Sequence, residues 1–357
     1  MRGTYGMSAY STRESEPGSS PRPKLRTRPI AASLILFGGI IALILGIAFC
    51  ISFGASDISM ATVWEAVFHY NPDIPQHIVI HELRLPRVLA SAMVGASFAV
   101  AGALMQGMTR NPMADSGLLG LNAGAAFVMA LSFAFFPGLS FIGLILCSFL
   151  GATIGAGLVF GFSAFSKTGV TPVRLVLAGS AVSALLAALS EGIALYYNIG
   201  QDLAFWYAGG VAGTTWLQLK ALLPWIGCAL IAAIGLSRSI TLLSLGEEIA
   251  TGLGQRTGLV KLAGMVIVLI LAGSSVAVVG AVSFVGLIVP HVTRFLVGVD
   301  YRWIIPCSAI LGSLLVVFAD LAARMINPPY EAPIGALIAL IGVPFFLYLA
   351  RNERRSL

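Results

Sequence analysis

Apolar runs of about twenty residues recur from residue 30 to residue 350, and no other feature of the sequence limits its fold as strongly. A helix needs about 20 mostly apolar residues to cross a bilayer. Segments of that kind occupy residues 30–53, 88–108, 118–136, 141–165, 172–195, 217–236, 259–279, 284–297, 303–325 and 333–350, the eighth being short. The polar stretches between them are too brief for a soluble domain, and only 10% of residues are charged against about 25% in an ordinary globular domain. The expected fold is an all-α membrane protein of about ten transmembrane helices in one domain, residues 30–357. This excludes a sizeable soluble catalytic domain, a coiled coil, a nucleic-acid-binding module and a disulfide-stapled secreted fold. Cys50, Cys147, Cys228 and Cys307 all lie in apolar runs and read as small buried hydrophobes.

Residues 1–29 are rich in Ser, Pro and Arg with almost no aliphatic side chains. Such a segment cannot bury enough surface to offset its ordering entropy, so a disordered cytoplasmic tail is expected. It is not a signal peptide, because the apolar run that follows is longer than an h-region and lacks a small-residue cleavage site. With the N-terminus in the cytosol, 17 of the 21 Lys and Arg fall inside, leaving Arg84, Arg87, Lys220 and Arg324 outside. That asymmetry sets the orientation, and an even helix number returns the C-terminus to the cytosol. The net charge of +6 is thus topological, and the expected location is the cell membrane.

A faint repeat aligns residues 95–120 with residues 273–298. Nine of 26 positions are identical, among them Gly95/Gly273, Gly102/Gly280, Pro112/Pro290 and Gly120/Gly298. Small residues shared for helix packing are one explanation. Duplication with inverted topology, common in transporters, is the other.

No G-x-x-x-x-G-K-[ST] loop, dinucleotide fingerprint, H-E-x-x-H or G-x-S-x-G constellation occurs, so no nucleotide, cofactor or catalytic metal is expected in this chain. Ionisable residues at membrane depth are few: Glu191, and the Asp320 and Arg324 pair, four apart on one helix face and read as a local ion pair. Glu191 is either a pathway residue or one reaching the outer water. His69, His77 and His81 precede the second helix on the outer side, without a third ligand at fixed spacing for a metal. Arg84 and Arg87 flank a Leu-Pro and are expected to be exposed there. Residues 238–258 form the most informative polar segment: two short amphipathic pieces hinged at Gly246 and closed by Gly252 and Gly254, suited to the groove of a soluble partner.

Arg84-Leu85-Pro86-Arg87, Val94-Gly95-Ala96, Met105-Gln106, Arg110-Asn111-Pro112-Met113-Ala114 and Leu119-Gly120 resemble the opening of the permeases of iron-siderophore, haem and cobalamin ABC importers, the FecCD family. Leu245-Gly246-Glu247 with Ala250 and Leu253-Gly254 resembles its coupling segment, and Gly280 to Arg294 its most recognisable signature; Asp320 to Arg324 and Pro333 to Pro344 complete the match. Thr251 departs from it, since many relatives carry a basic residue there. The resemblance implies a non-catalytic subunit of a type II importer. Its partners would be a second permease (paralogue or identical chain, with a lean to the heterodimer), two ATP-binding subunits and an extracytoplasmic substrate-binding protein. Besides these it would meet membrane lipid and no nucleic acid. It further implies ATPase coupling through Leu245, Gly246, Glu247, Ala250 and Gly254, and docking of the binding protein on Arg84, Arg87 and Arg324. A cytoplasmic gate is implied at Thr171, Pro172 and Val173, with Gly179, Ser180 and Ser183 beside it on the dimer axis. The expected cargo is an iron-siderophore complex; haem or cobalamin, or a secondary carrier with inverted repeats, are the alternatives.

Overall fold

The computed structural model describes residues 27–53, 58–115, 117, 120–164, 172–208, 210–280, 282–326 and 330–353. The expected tail, residues 1–26 of it, lies outside them. Regular structure among the described residues is helical: α1 Pro29–Ser52, α2 Met60–Phe68, α3 Pro75–Ile78, α4 Leu85–Thr109, α5 Leu121–Phe135, α6 Phe141–Ala164, α7 Pro172–Tyr196, α8 Gly200–Ala208, α9 Trp216–Ser244, α10 Glu247–Gly252, α11 Thr257–Val279, α12 Val285–Val297, α13 Tyr301–Met325 and α14 Ile334–Glu353. Among the described residues seven helices, counting Pro75–Thr109 as one, are long and apolar enough to cross a membrane, and α5, α12 and α14 are shorter apolar helices.

The Leu85-Pro86 step between Arg84 and Arg87 lies inside continuous helix. Pro86 has no N–H to donate one turn back, and the turn before it widens to a π-helical stretch, Val79–Arg84, in which the Leu85 N–H reaches the Ile80 carbonyl. A widened turn absorbs the missing donor without a break.

α4 is the axle of the bundle, with α9, α11, α12 and α13 around it. Its small residues permit this: a Cβ on Gly95 would strike the Gly312 backbone of α13, and one on Gly102 the Gly286 backbone of α12. Lipid supplies no hydrophobic drive for helix association, so backbone approach of this kind supplies packing instead. α1 lies outside on α13, while α5, α6 and α7 form a second group. Cys50 and Cys307 are buried as expected, but Cys228 is exposed on α9.

The aligned repeats differ in local structure. α4 runs helically through Gly102, whereas α11 stops at Val279 and the aligned Gly280 takes φ +73° before α12 begins. Gly102 is small for packing and Gly280 for its left-handed backbone, so that identity reflects two separate demands.

Candidate functional site

At one end of the bundle, the three arginines expected on the outer rim turn inward. Arg84 is 8% exposed and donates to the carbonyls of Ile51 and Ser52 at 2.5 and 3.2 Å. Arg324, its side chain also 8% exposed, donates to Phe53 and Cys50 carbonyls at 3.3 and 3.2 Å. Both guanidiniums therefore satisfy the last carbonyls of α1, which have no intrahelical partner and carry the negative end of the helix dipole. The exposure expected of them is corrected for that reason.

Arg87 serves a different neighbour. Its Nε lies 3.0 and 3.1 Å and its Nη2 2.8 Å from the carboxylate of Asp320, whose side chain is 1% exposed, and its Nη1 meets Glu331 at 2.5 Å. The Asp320–Arg324 ion pair expected from the i,i+4 spacing forms as well, Nε to Oδ2 at 3.4 Å. Spacing along one helix could not reveal Arg87 across the α4–α13 contact. A fork donating to two carboxylates satisfies the buried Asp320 where a single-point contact would not. Beside this cluster a cavity of about 480 Å³ is lined by Arg87, Phe205, Trp206, Gly280, Glu331 and Ile334. Glu331, which reaches solvent, was missed because it lies in a connector without periodicity.

The same end carries the histidines. His77 is buried and its Nδ1 accepts the Asn71 N–H at 3.1 Å; His81 stacks between Tyr70 and Trp216 at 4.7 and 5.4 Å. No metal-holding group occurs among the described residues. Glu191 is exposed on α7.

At the opposite end, α9 continues eight residues past the expected 236, so the first piece of the polar segment is the last turns of a span. Gly246 then turns the chain at φ +136°, and α10 follows. Ala250 is buried, fixing the inner face of α10, and Gln255 donates to the Ser239 carbonyl at 2.9 Å. Glu247 receives Lys261 of α11 at 2.7 and 2.8 Å; that hydrogen bond holds its carboxyl below the ordinary glutamate range, against the opposing effect of burial. Outward lies an apolar row, Leu245, Ile249 and Leu253, at 40, 52 and 66% exposure, with Glu248 and Thr251 also exposed beside it. Gly254, at φ +80°, ends the segment.

Two distant motifs meet beneath it. Gln106 of α4 donates to the Gly286 carbonyl at 3.2 Å and accepts from Arg294 of α12 at 2.9 Å, and Arg294 also donates to the Tyr301 hydroxyl at 3.2 Å. Asp300 caps α13 and binds Arg302 at 2.7 Å; burial opposes its ionisation, but the Arg302 donors outweigh it and hold the carboxyl low. These bonds lock α4, α12 and α13 together, and Thr241 near the end of α9 joins them, donating to Asp300 at 3.3 Å and accepting the Tyr301 N–H at 3.0 Å.

Of the gate residues, Thr171 lies outside the described residues, and Pro172 and Val173 open α7 with side chains outside them. Gly179 is buried, Ser180 exposed and Ser183 between the two. Val182 and Leu186 pack on Val159 of α6 while Leu185 and Leu189 stay outward, so α7 presents one face to its own bundle and another away from it.

A body of apolar, span-length helices with backbone-close packing, an ion-paired rim at one end and an anchored amphipathic turn at the other defines a multi-pass helical membrane protein. The FecCD transport family matches residues 42–352, and the chain belongs to it. It is 55% identical to the iron(3+)-hydroxamate import system permease protein FhuB of Bacillus subtilis over 93% of this chain and 86% of that protein. With that organism's FhuG, also an iron(3+)-hydroxamate import system permease protein, it shares 36% over 86% and 94% respectively. A solved metal-chelate type ABC transporter in an inward-facing conformation superposes with TM-score 0.78 at 30% identity, covering 90% of this chain and 99% of that one. The chain is a permease subunit of the ABC-importer type.

Proposed function

We propose that this permease carries a ferric hydroxamate-type siderophore through a ten-helix body, the α9–α11 turn and both termini facing the cytosol. The substrate class is supported by the 55% identity to a permease named for iron(3+)-hydroxamate import. Similarity to two permeases of one such system, at unequal identity, supports a heterodimer with a paralogue.

The observation that carries the reading is the turn after α9. An apolar row exposed beyond the end of a span is costly in water and fits a protein groove. Here it is Leu245, Ile249 and Leu253, and Ala250, Gly246, Gly254 and the Glu247–Lys261 pair set its angle. ATP-binding subunits would seat against it, with energy from their hydrolysis, since no nucleotide loop occurs in this sequence. Pro172, Val173, Gly179, Ser180 and Ser183, with Thr171, would form the gate against the second permease. An extracytoplasmic binding protein would land on the opposite rim. Arg84, Arg87 and Arg324 would serve it from beneath by fixing α1, α4 and α13, with Glu331 the acidic group that reaches its surface. The test replaces Leu245 and Ile249 by Asp in the assembled importer: hydrolysis stimulated by loaded binding protein should disappear with the permease still inserted, and undiminished stimulation would sink the coupling assignment.

A further inference from the structure

The end of the bundle that bears α10 holds a second cavity, about 610 Å³, between α4, α6, the end of α9 and α11. Ligand cavities span roughly 300–1,000 Å³. Its walls are apolar and pliant: Met105, Met108, Met265, Phe160, Leu262 and Leu269. Unbranched thioether side chains adapt to an irregular chain. Charge is confined to Arg110, Glu247 and Lys261, which leaves one positive charge in excess.

The cavity is continuous with the outward surface of the bundle. Leu262 lines it and is 62% exposed, and on α6 the outward row Leu146, Leu150, Ile154 and Leu158 runs beside the lining residues Thr153 and Gly157. An apolar slot opening from such a surface, with a cationic end, has the chemistry of an acyl chain joined to one anionic headgroup. Basic pockets between spans on the cytoplasmic side suit anionic lipid headgroups. We propose that this cavity is a binding site for an anionic phospholipid of the cytoplasmic leaflet, its acyl chain among the methionines and its phosphate at Arg110 and Lys261. Because Leu243 and Glu247 also line it, bound lipid would touch the α9–α10 joint and stiffen it; that consequence rests on the coupling role proposed above.

Gly157 permits a clean test: a Cβ there meets nothing within 4 Å, so Gly157→Leu fills the slot without displacing backbone, while Gly235→Leu on α9 projects into equally open space and does not line this cavity. Phosphatidylglycerol and phosphatidylcholine, each with a photoreactive acyl chain, are cross-linked to the assembled importer without nucleotide. Phosphatidylglycerol should label α4, α6 and α11 in preference to phosphatidylcholine. Gly157→Leu, by excluding two methylenes, should lower that labelling about tenfold, and Gly235→Leu should not. Arg110 sits at φ +52°, which Asn tolerates, so Arg110→Asn should abolish the preference between the lipids with the fold kept. Equal labelling by both lipids, or labelling unchanged in Gly157→Leu, would overturn the proposal whether or not the α10 turn proves to drive coupling. Loss of coupling in α10 variants says nothing about the labelling.

Discussion

Asp320→Asn keeps the shape of a fully buried side chain and removes its charge, so its effect reports the electrostatics of the rim rather than packing. In the native protein the carboxylate accepts Arg87 through contacts of 2.8, 3.0 and 3.1 Å, with Arg324 at 3.4 Å on its other side. Without it two largely buried guanidiniums face each other, and only Arg87 has a second carboxylate, the half-exposed Glu331. Breaking a buried pair from one side costs about 3–5 kcal/mol, mostly as the penalty on the charge left behind. At roughly 2–4 °C per kcal/mol for a large domain, the apparent unfolding midpoint of the purified permease at fixed scan rate should fall by about 6–20 °C. Adding Arg87→Gln to Asp320→Asn should lose less than the sum of the two single changes, because residues in contact do not act independently. A midpoint within about 1 °C of wild type for Asp320→Asn, the ordinary range for a surface change, would refute the claim that this pair holds α4 to α13.

Four further outcomes are expected. Gly246→Val places a β-branched residue at φ +136°, and Glu247→Arg sets a third cation beside Lys261 and Arg110; each should abolish stimulated hydrolysis with membrane insertion unchanged, read by hydrolysis assay and membrane fractionation. The Glu247 carboxyl should titrate below the ordinary value of 4.5, measured by carbon NMR of labelled glutamate, and rise in Lys261→Met. Since its folded value is depressed, the stabilisation is complete above the ordinary value and disappears as pH falls through the folded one, so the tie is insensitive to pH near neutrality. Gly102→Val would drive a side chain into the Gly286 backbone, and the yield of folded permease should collapse, since this contact can relax only by separating α4 from α12. Cysteine at Ser183 should react with a thiol reagent at rates that change between nucleotide states; a constant rate would take it off the pathway.

The spans were legible because a bilayer imposes one length and one polarity on each of them: α6 and α11 begin and end within two residues of the apolar runs. What escaped were short helices away from that constraint, α2, α3 and α8, and the eight extra residues of α9, whose Arg238 and Ser239 look like a loop but continue a helix into the polar phase. Gly246 and Gly254 were legible as hinges, since left-handed backbone leaves few other choices. Asp320 and its i,i+4 partner Arg324 were visible, but not its second and closer partner, because a guanidinium arriving from Arg87 is a fact of the α4–α13 crossing. Arg84 and Arg324 were misplaced for a related reason: a position on the sparsely charged side implies water, whereas the end of α1 offers four carbonyls that need donors.

The central claim is that this chain moves a ferric hydroxamate using energy released elsewhere, in an ATP-binding partner. It is tested most directly by uptake of radio-iron ferric hydroxamate in cells that carry this permease as the sole route, with membrane potential and ATP varied separately. Uptake should continue under an uncoupler while ATP is maintained, and stop when ATP is drained with the potential intact. Uptake that collapses with the potential and survives the loss of ATP would make the protein a secondary carrier and contradict the account.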